Sequence, residues 1–458
     1  MIEPPQRKKL PQYNSIEDAV ELITKSKKIL VLSGAGISTS AGLPDFRSRN
    51  GIYVQIHAEH PDLSDPKSMF DIEYFKKNPV PFYQFAKALY PGQYKPTIGH
   101  RFIKCLEEHN KLLRNYSQNI DTLEKQAGIK HVVECHGSFA KATCTNCKYN
   151  VDGDVIRNDI LNRKIPLCPR CHSINEGPEV KLGVMKPDIV FFGEQLGDHY
   201  HSCLESDKNQ VDLLIVIGSS LKVRPVALIP RSIPDHVPQV LINKEPLDHM
   251  CFDIELLGDC DTVIKELCSR LGHDWIDMLR VQATPLTQII GLPLPKTALD
   301  DSDSSSKSKK LGSVIPTDEI DDSKKISKNI GLDKSSLIQS RVVDTDALNS
   351  SPLVAERLAI VDVEKEIEVD RDMPDRAISD CDRSSDEEWE DVEILPQTSS
   401  SSDSDSQKKL SLEVPETSYY FLKPNRYMFH GVELTKAQYE RFAREQEKIS
   451  EQDPTLVQ

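Results

Sequence analysis

Two Cys-x-x-Cys pairs, Cys144/Cys147 and Cys168/Cys171, stand twenty residues apart and constrain this chain more than any other feature. Each short turn brings two thiolates to one side, and two such turns close a tetrahedral zinc site. Four sulfurs saturate the ion and leave no position for water, so the zinc is expected to be structural. A small ribbon at about 140–180 is the expected carrier. Ten of the 11 cysteines precede residue 275, and only Cys381 follows. No stretch reaches the ~18 apolar residues of a membrane span. MIEPPQRKKLPQY at the N-terminus is basic, with no apolar run after it. The expectation is a soluble intracellular chain whose crowded cysteines serve metal binding or chemistry rather than disulfides.

Charge divides the chain. Residues 1–275 carry 34 Lys and Arg against 35 Asp and Glu, whereas 361–410 carry 6 against 17, most of the overall −15. A neutral N-terminal part argues against bulk neutralisation of nucleic-acid phosphates, and the flanks of the cysteine pairs lack excess Lys and Arg. Neither direct nucleic-acid binding nor membrane association is expected.

From about residue 16 to 275, β-branched runs alternate with helical stretches. KKILVLS (27–33), KLLRNYSQN (111–119), VDLLIVIGSS (211–220) and QVLIN (239–243) are nearly continuous apolar strands, as in parallel sheets covered on both faces. SIEDAVELITKS (15–26) and CDTVIKELCSRLG (260–272) are helical, the second ending at Gly272. The fold class expected is α/β: a doubly wound, Rossmann-like parallel sheet with the zinc ribbon inserted. The boundaries read as a short basic segment 1–15, a catalytic domain 16–275, a mostly disordered acidic and Ser-rich linker 276–417, a β-hairpin 418–434 and a tail 435–458. Low apolar content marks the linker. SYYFLKPNRYMFHGVEL alternates aromatic residues around Pro424-Asn425; a lone hairpin is marginal, so it should dock on an edge strand of the core. TKAQYERFAREQEKIS reads as a short, fraying helix.

Polar clusters follow the strands. The first runs into Gly34-Ala35-Gly36-Ile37-Ser38, a turn able to present backbone N–H groups to a pyrophosphate, although Thr39 replaces the third glycine of G-x-G-x-x-G. Ala41-Gly42-Leu43-Pro44-Asp45-Phe46-Arg47-Ser48 then places an acid, an aromatic and a cation side by side, suited to covering a ligand. Gln118-Asn119-Ile120-Asp121, Gly218-Ser219-Ser220 and Asn243-Lys244-Glu245 end three further strands. Carboxyl ends of a doubly wound sheet form one crevice, where these clusters would meet a dinucleotide. His136, in Glu134-Cys135-His136-Gly137-Ser138, is a candidate base because imidazole titrates near neutrality. No Gly-x-Ser-x-Gly elbow or P-loop lysine is present.

GAGISTSAGLPDFRS, QNID, CHGS, both cysteine pairs, KPDIVFFGE, GSSLKVRP, NKE and GDCD stand in the order and spacing of the sirtuins. The chain resembles these NAD-dependent protein-lysine deacylases over about 1–275, and is most similar to the nuclear class I type through PPQRKK and FLKPNRYMFHGVEL. The resemblance implies that Gly34, Ala35, Gly36 and Ser38 hold the phosphates and ribose, with Asp45, Phe46, Arg47 and Tyr53 over the cofactor. Gln118, Asn119, Ile120 and Asp121 would face the nicotinamide ribose, Asp121 taking the carboxamide. Gly218, Ser219, Ser220, Asn243, Lys244, Glu245 and Cys260 would line the adenosine side. His136 and Asn119 form the implied catalytic set, His136 as general base. The implied products are free lysine, nicotinamide and O-acetyl-ADP-ribose, with NAD consumed and one structural zinc retained.

Phe46, Ile120, Phe139, Val190 and Phe192 are expected to form an apolar tunnel, which suits an acetyl group better than a charged acyl chain. By resemblance, Gly193-Glu194 and Lys222-Val223-Arg224 would pair with the substrate backbone, making Val190, Phe192, Gly193, Glu194 and Val223 the substrate set. The partners implied are acetylated proteins, histones and transcription factors among them, within chromatin complexes that regulate transcription; the compartment implied is the nucleus, with cytoplasm as a second. Mono-ADP-ribosyl transfer and a non-enzymatic NAD-binding scaffold are the alternatives. HSINEGPEVKLGV after Cys171 reads as a surface insertion, and Ser384, Ser385 and the serines of 399–406 as targets of an acid-directed kinase.

Overall fold

ILVLS, LLIVI, QVLIN and IELL are buried along their whole lengths, which only a sheet covered on both faces allows. The computed structural model describes residues 7–48, 51–174, 183–296 and 409–452. In chain order the strands are β1 (Ile29–Ser33), β2 (Leu112–Ser117), β3 (Val132–Glu134), β4 (Gly137–Cys144), β5 (Asn150–Asp152), β6 (Met185–Ile189) and β7 (Leu213–Ile217). They continue as β8 (Gln239–Asn243), β9 (Ile254–Leu257), β10 (Thr287–Ile290), β11 (Lys409–Ser411), β12 (Ser418–Leu422), β13 (Arg426–Met428) and β14 (Glu433–Thr435).

Nine strands form the main sheet in the order β10-β12-β13-β9-β8-β7-β1-β2-β3. From β1 the chain steps outward through β2 to β3, then returns to the other side of β1 for β7, β8 and β9, all parallel. The order therefore reverses between β1 and β7, and the crevice above that point is where a doubly wound sheet takes its ligand. Alternate side chains of each strand feed two cores. Ile29, Val31, Ile215 and Ile242 pack under helices Ile16–Lys25, Ile98–Glu108 and Cys260–Leu271, while Leu30, Leu32, Leu214 and Val216 face the opposite layer. Ser15 starts the first helix with a capping box: its hydroxyl accepts the Asp18 N–H, and the Asp18 carboxylate answers the Ser15 N–H.

Two excursions leave the sheet between β1 and β7. Residues 52–90 form short helices with an aromatic core, Phe70, Phe75, Phe82 and Phe191 meeting edge to face at 5.1–6.2 Å. Antiparallel β5-β4-β6 carries the ribbon and shares that core through Phe139, Cys144 and Met185.

The C-terminal segment completes the sheet. β13 pairs in parallel with β9, Tyr427 opposite Leu256, and turns back antiparallel to β12. Tyr419, Tyr427 and Phe429 enter the same core as the first helix. Ordered structure extends into the segment read as linker, 276–417: helix His273–Leu279 crosses its boundary, β10 pairs with β12, and β11 pairs with β14. TQII is too short to be read as a strand when its partner lies more than a hundred residues away. The final segment forms helix Lys436–Gln452, with Phe442 fully buried and Arg426 4.3 Å above that ring. The run 175–182 and the serines at 384, 385 and 399–406 lie outside the described residues. Arg7, from the basic N-terminal cluster, is engaged in a buried ion pair with Asp253 at 2.6 Å. No described helix is long and apolar enough to cross a membrane.

Candidate active site and zinc ribbon

The first glycines act by close approach. A Cβ on Gly34 or Gly36 would lie 2.8 Å or less from Gly218, whose φ of +61° sets the turn after β7. The Gly36 N–H donates to the Gly218 carbonyl at 2.8 Å. This contact ties the ends of β1 and β7 together at the switch point. Above it opens a cavity of about 1070 Å³.

Its wall combines the strand-end clusters. Ala35, Gly36, Gln118, Asn119, Ile120, His136, Gly218, Ser219, Ser220, Asn243, Lys244, Glu245 and Cys260 all line it, as do Asp45, Phe46, Arg47 and Tyr53 from the covering loop. Ser219 Oγ donates to Gln118 Oε1 at 2.9 Å, joining two clusters directly. Burial pushes the Cys260 thiol up to about 12, which makes it an inert wall rather than a nucleophile. Gly34, Ser38 and Asp121 stand just behind the wall. Ser38 Oγ donates to Asp121 Oδ2 at 2.7 Å and accepts from Asn119 Nδ2 at 3.2 Å. Burial raises the Asp121 carboxyl above its ordinary range, Glu124 adding to the effect. His100, pushed down to about 4 by burial, lies beside these two acids.

His136 follows β3 on a half-buried turn. Its Nδ1 lies 2.8 Å from the Gln118 carbonyl, which only accepts; Nδ1 therefore carries the proton and Nε2 keeps its lone pair. Desolvation lowers its pKa, and the Arg47 cation adds to this, so the ring is neutral near pH 7.

Apolar residues of the lining are Phe46, Phe70, Ile120, Ile189, Val190, Phe191, Phe192 and Val223. Phe139 is not part of it: its ring packs on Tyr90 at 5.3 Å in the ribbon core. Gly193 and Glu194 also fall outside the lining. Glu194 accepts the Phe191 N–H and pairs with Lys186, both at 2.8 Å, and so shapes the turn rather than facing the cavity. Phe192 already exchanges main-chain hydrogen bonds with Phe70 and Ile72. Sequence reading missed Lys409, Glu433, Thr435 and Gln438, which come from the C-terminal segment to the mouth beside Asp259 and Lys244. Lys409 pairs with Glu245 at 2.8 Å and Lys244 with Glu433 at 3.3 Å. Of these only Glu433 lies in the hairpin read from the sequence; Lys409 is brought by β11, Thr435 by β14 and Gln438 by the C-terminal helix.

The cysteine pairs meet in the ribbon. Cys144 Sγ and Cys171 Sγ lie 3.7 Å apart, Cys147 Sγ and Cys168 Sγ 3.6 Å. A zinc ion at about 2.3 Å from each sulfur of a tetrahedron separates the sulfurs by about 3.8 Å. The backbone N–H groups of Asn146 and Cys147 both point at Cys144 Sγ at 3.4 Å, and a Cβ on Gly183 would fall 2.4 Å from the same sulfur. The four sulfurs fit one closed, structural zinc.

Residues 34–225 match the model of the Sir2 family. The chain is 45% identical over 446 residues to the NAD-dependent protein deacetylase sirtuin-1 of Rattus norvegicus, covering 94% of this chain and 77% of that protein. It is 44% identical to the Homo sapiens protein of that name, with 94% of this chain and 57% of that protein covered. Against the NAD-dependent protein deacetylase sir-2.1 of Caenorhabditis elegans, identity is 55% over 275 residues, 60% of this chain and 44% of that protein. With its switch-point cavity, its four-cysteine ribbon and similarity running nearly end to end, the chain belongs to the Sir2 family.

Proposed function

We infer that this protein is an NAD-dependent protein-lysine deacetylase, which passes an acetyl group from lysine to ADP-ribose and releases nicotinamide. The observation that carries the reading is His136: a neutral imidazole, its tautomer fixed by Gln118, on the wall of a dinucleotide-sized cavity lined in part by apolar residues. NAD, when bound, supplies an electrophilic ribose carbon beside nicotinamide. His136 Nε2 would take a proton from a ribose hydroxyl. Asn119 and Asp121 would hold the nicotinamide ribose and carboxamide; Gly34, Ala35, Gly36 and Ser38 would hold the phosphates and ribose, and Gly218, Ser219, Ser220, Asn243, Lys244, Glu245 and Cys260 the adenosine side.

Phe46, Ile120, Val190 and Phe192 would exclude water around the acyl-lysine, favouring a short uncharged acyl group, since burying a carboxylate without a partner is costly. Val223 would touch the substrate chain. Main-chain recognition suits many targets, so acetylated histones and transcription factors within chromatin complexes, acted on in the nucleus, complete the proposal. Mass spectrometry of an acetylated histone peptide incubated with the full chain, with and without NAD, tests it. Loss of acetyl only with NAD, abolished by His136→Ala, supports the reading; ADP-ribose on protein with acetyl-lysine intact moves it to transfer.

A further inference from the structure

Glu124 is a carboxyl group buried where no ion pair of the described residues reaches it. It lies in the first turn of the short helix Leu123–Gln126 and is 1% exposed. Burial raises its carboxyl above the ordinary range. An uncompensated carboxyl at this depth is a costly choice beside an apolar side chain of the same size, so its contacts matter. Its Oε1 is hydrogen-bonded to Ser117 Oγ and lies 3.5 Å from Ser33 Oγ. Ser117, at the end of β2 and fully buried, accepts the main-chain N–H of Asn119 at 3.1 Å. A serine hydroxyl has one proton. When Glu124 Oε1 takes it, the oxygen lone pairs turn to the Asn119 N–H. The other end of Asn119 is held as well, its Nδ2 donating to the Gly34 carbonyl and Ser38 Oγ, both at 3.2 Å.

We propose that Glu124 is a positioning residue: through Ser117 it fixes the main chain of Asn119, and with it the residue that faces the reacting ribose. The proposal rests on the deacetylase reading and adds a residue to it. Nothing in Gln118-Asn119-Ile120-Asp121 itself specifies this support. It comes from five residues further on, folded back beneath the strand end.

The test uses the full chain with Glu124→Ala, Glu124→Gln, Ser117→Ala and the Glu124→Ala/Ser117→Ala double variant. For each, kcat, KM for NAD, KM for an acetyl-lysine peptide and the melting temperature are measured. Both alanine variants should lose about tenfold or more in kcat, because small misplacements of a reacting group carry large penalties, with KM for the peptide unchanged. Glu124→Gln, which keeps an acceptor oxygen for Ser117, should recover most of kcat. The double variant should be no worse than the worse single variant, since both changes break one linkage. Should Glu124→Ala fail to fold, Glu124→Gln and Ser117→Ala still decide. The proposal is overturned if Ser117→Ala or a folded Glu124→Ala keeps wild-type kcat and loses only melting temperature. It is equally overturned if Glu124→Gln is as impaired as the alanine variant, or if the double variant shows the product of the single losses. Wild-type protein without NAD-dependent turnover would defeat the deacetylase reading first, and this proposal with it.

Discussion

The imidazole of His136 donates from Nδ1 to the main-chain carbonyl of Gln118 at 2.8 Å, so the residue read as the base is oriented by the strand end that also carries Asn119. His136 and Asn119 are thus both held by the strand end of β2.

His136→Ala should lower kcat by about 10²–10⁴ while NAD still binds, the usual scale for losing a positioned base. The base must be neutral to act. Because burial lowers its pKa, the acid limb of kcat should lie below the value of about 6.5 for a free imidazole. A pH–rate profile checks the sign; a limb above that value would contradict it.

Removing zinc should unfold the ribbon and not merely slow turnover. Cys144 and Cys171 sit in the aromatic core that also holds Phe191, so the loss propagates to the cavity wall. One zinc per chain by elemental analysis, lost together with a sharp melting transition on Cys168→Ser or strong chelation, is the expected result.

The C-terminal hairpin should be a large source of stability. Tyr427 Oη accepts the N–H of Ile16 at 3.0 Å, satisfying a helix-start donor more than four hundred residues away. Tyr427→Phe should cost about 1–3 kcal/mol, the range for leaving a buried donor unpaired. Phe429→Ala, a fully buried ring, should cost about 3–5 kcal/mol. Denaturant unfolding measures both.

What was legible in the sequence was local. The cysteine spacing, the apolar runs β1, β7 and β8 with glycine or polar residues after them, and His136 before the ribbon each carry their signal within a few residues. What was not legible depends on distant register. β10 is strand only because β12 lies beside it, and Lys409 reaches the cavity mouth only because β11 pairs with β14. Phe139, expected in the tunnel, packs on Tyr90 in the ribbon core instead, a contact set by the fold of residues 52–90 rather than by its neighbours in sequence. The ion pair of the Glu194 side chain with the buried Lys186 has no signal in the sequence, because the two lie on either side of the turn after β6.

Arg7 and Asp253 form another long-range lock. Asp253 accepts from Arg7 and from the backbone N–H groups of Leu10 and Gln239. Replacing either partner leaves the other buried without a counter-charge, so Arg7→Ala and Asp253→Ala should each destabilise by about 3–5 kcal/mol. Asp253→Asn, which keeps one acceptor oxygen for one of the two amides, should cost less than Asp253→Ala. Thermal melts of the three variants check the order.

The central claim is that this cavity couples NAD breakdown to removal of acetyl from lysine. The most direct measurement is a molar balance on one reaction mixture, quantifying nicotinamide, deacetylated peptide and O-acetyl-ADP-ribose over time. The account predicts equal amounts of all three at every time point, and none with His136→Ala beyond a small residual. Free acetate without NAD consumption, or nicotinamide released with the acetyl-lysine intact, would contradict it.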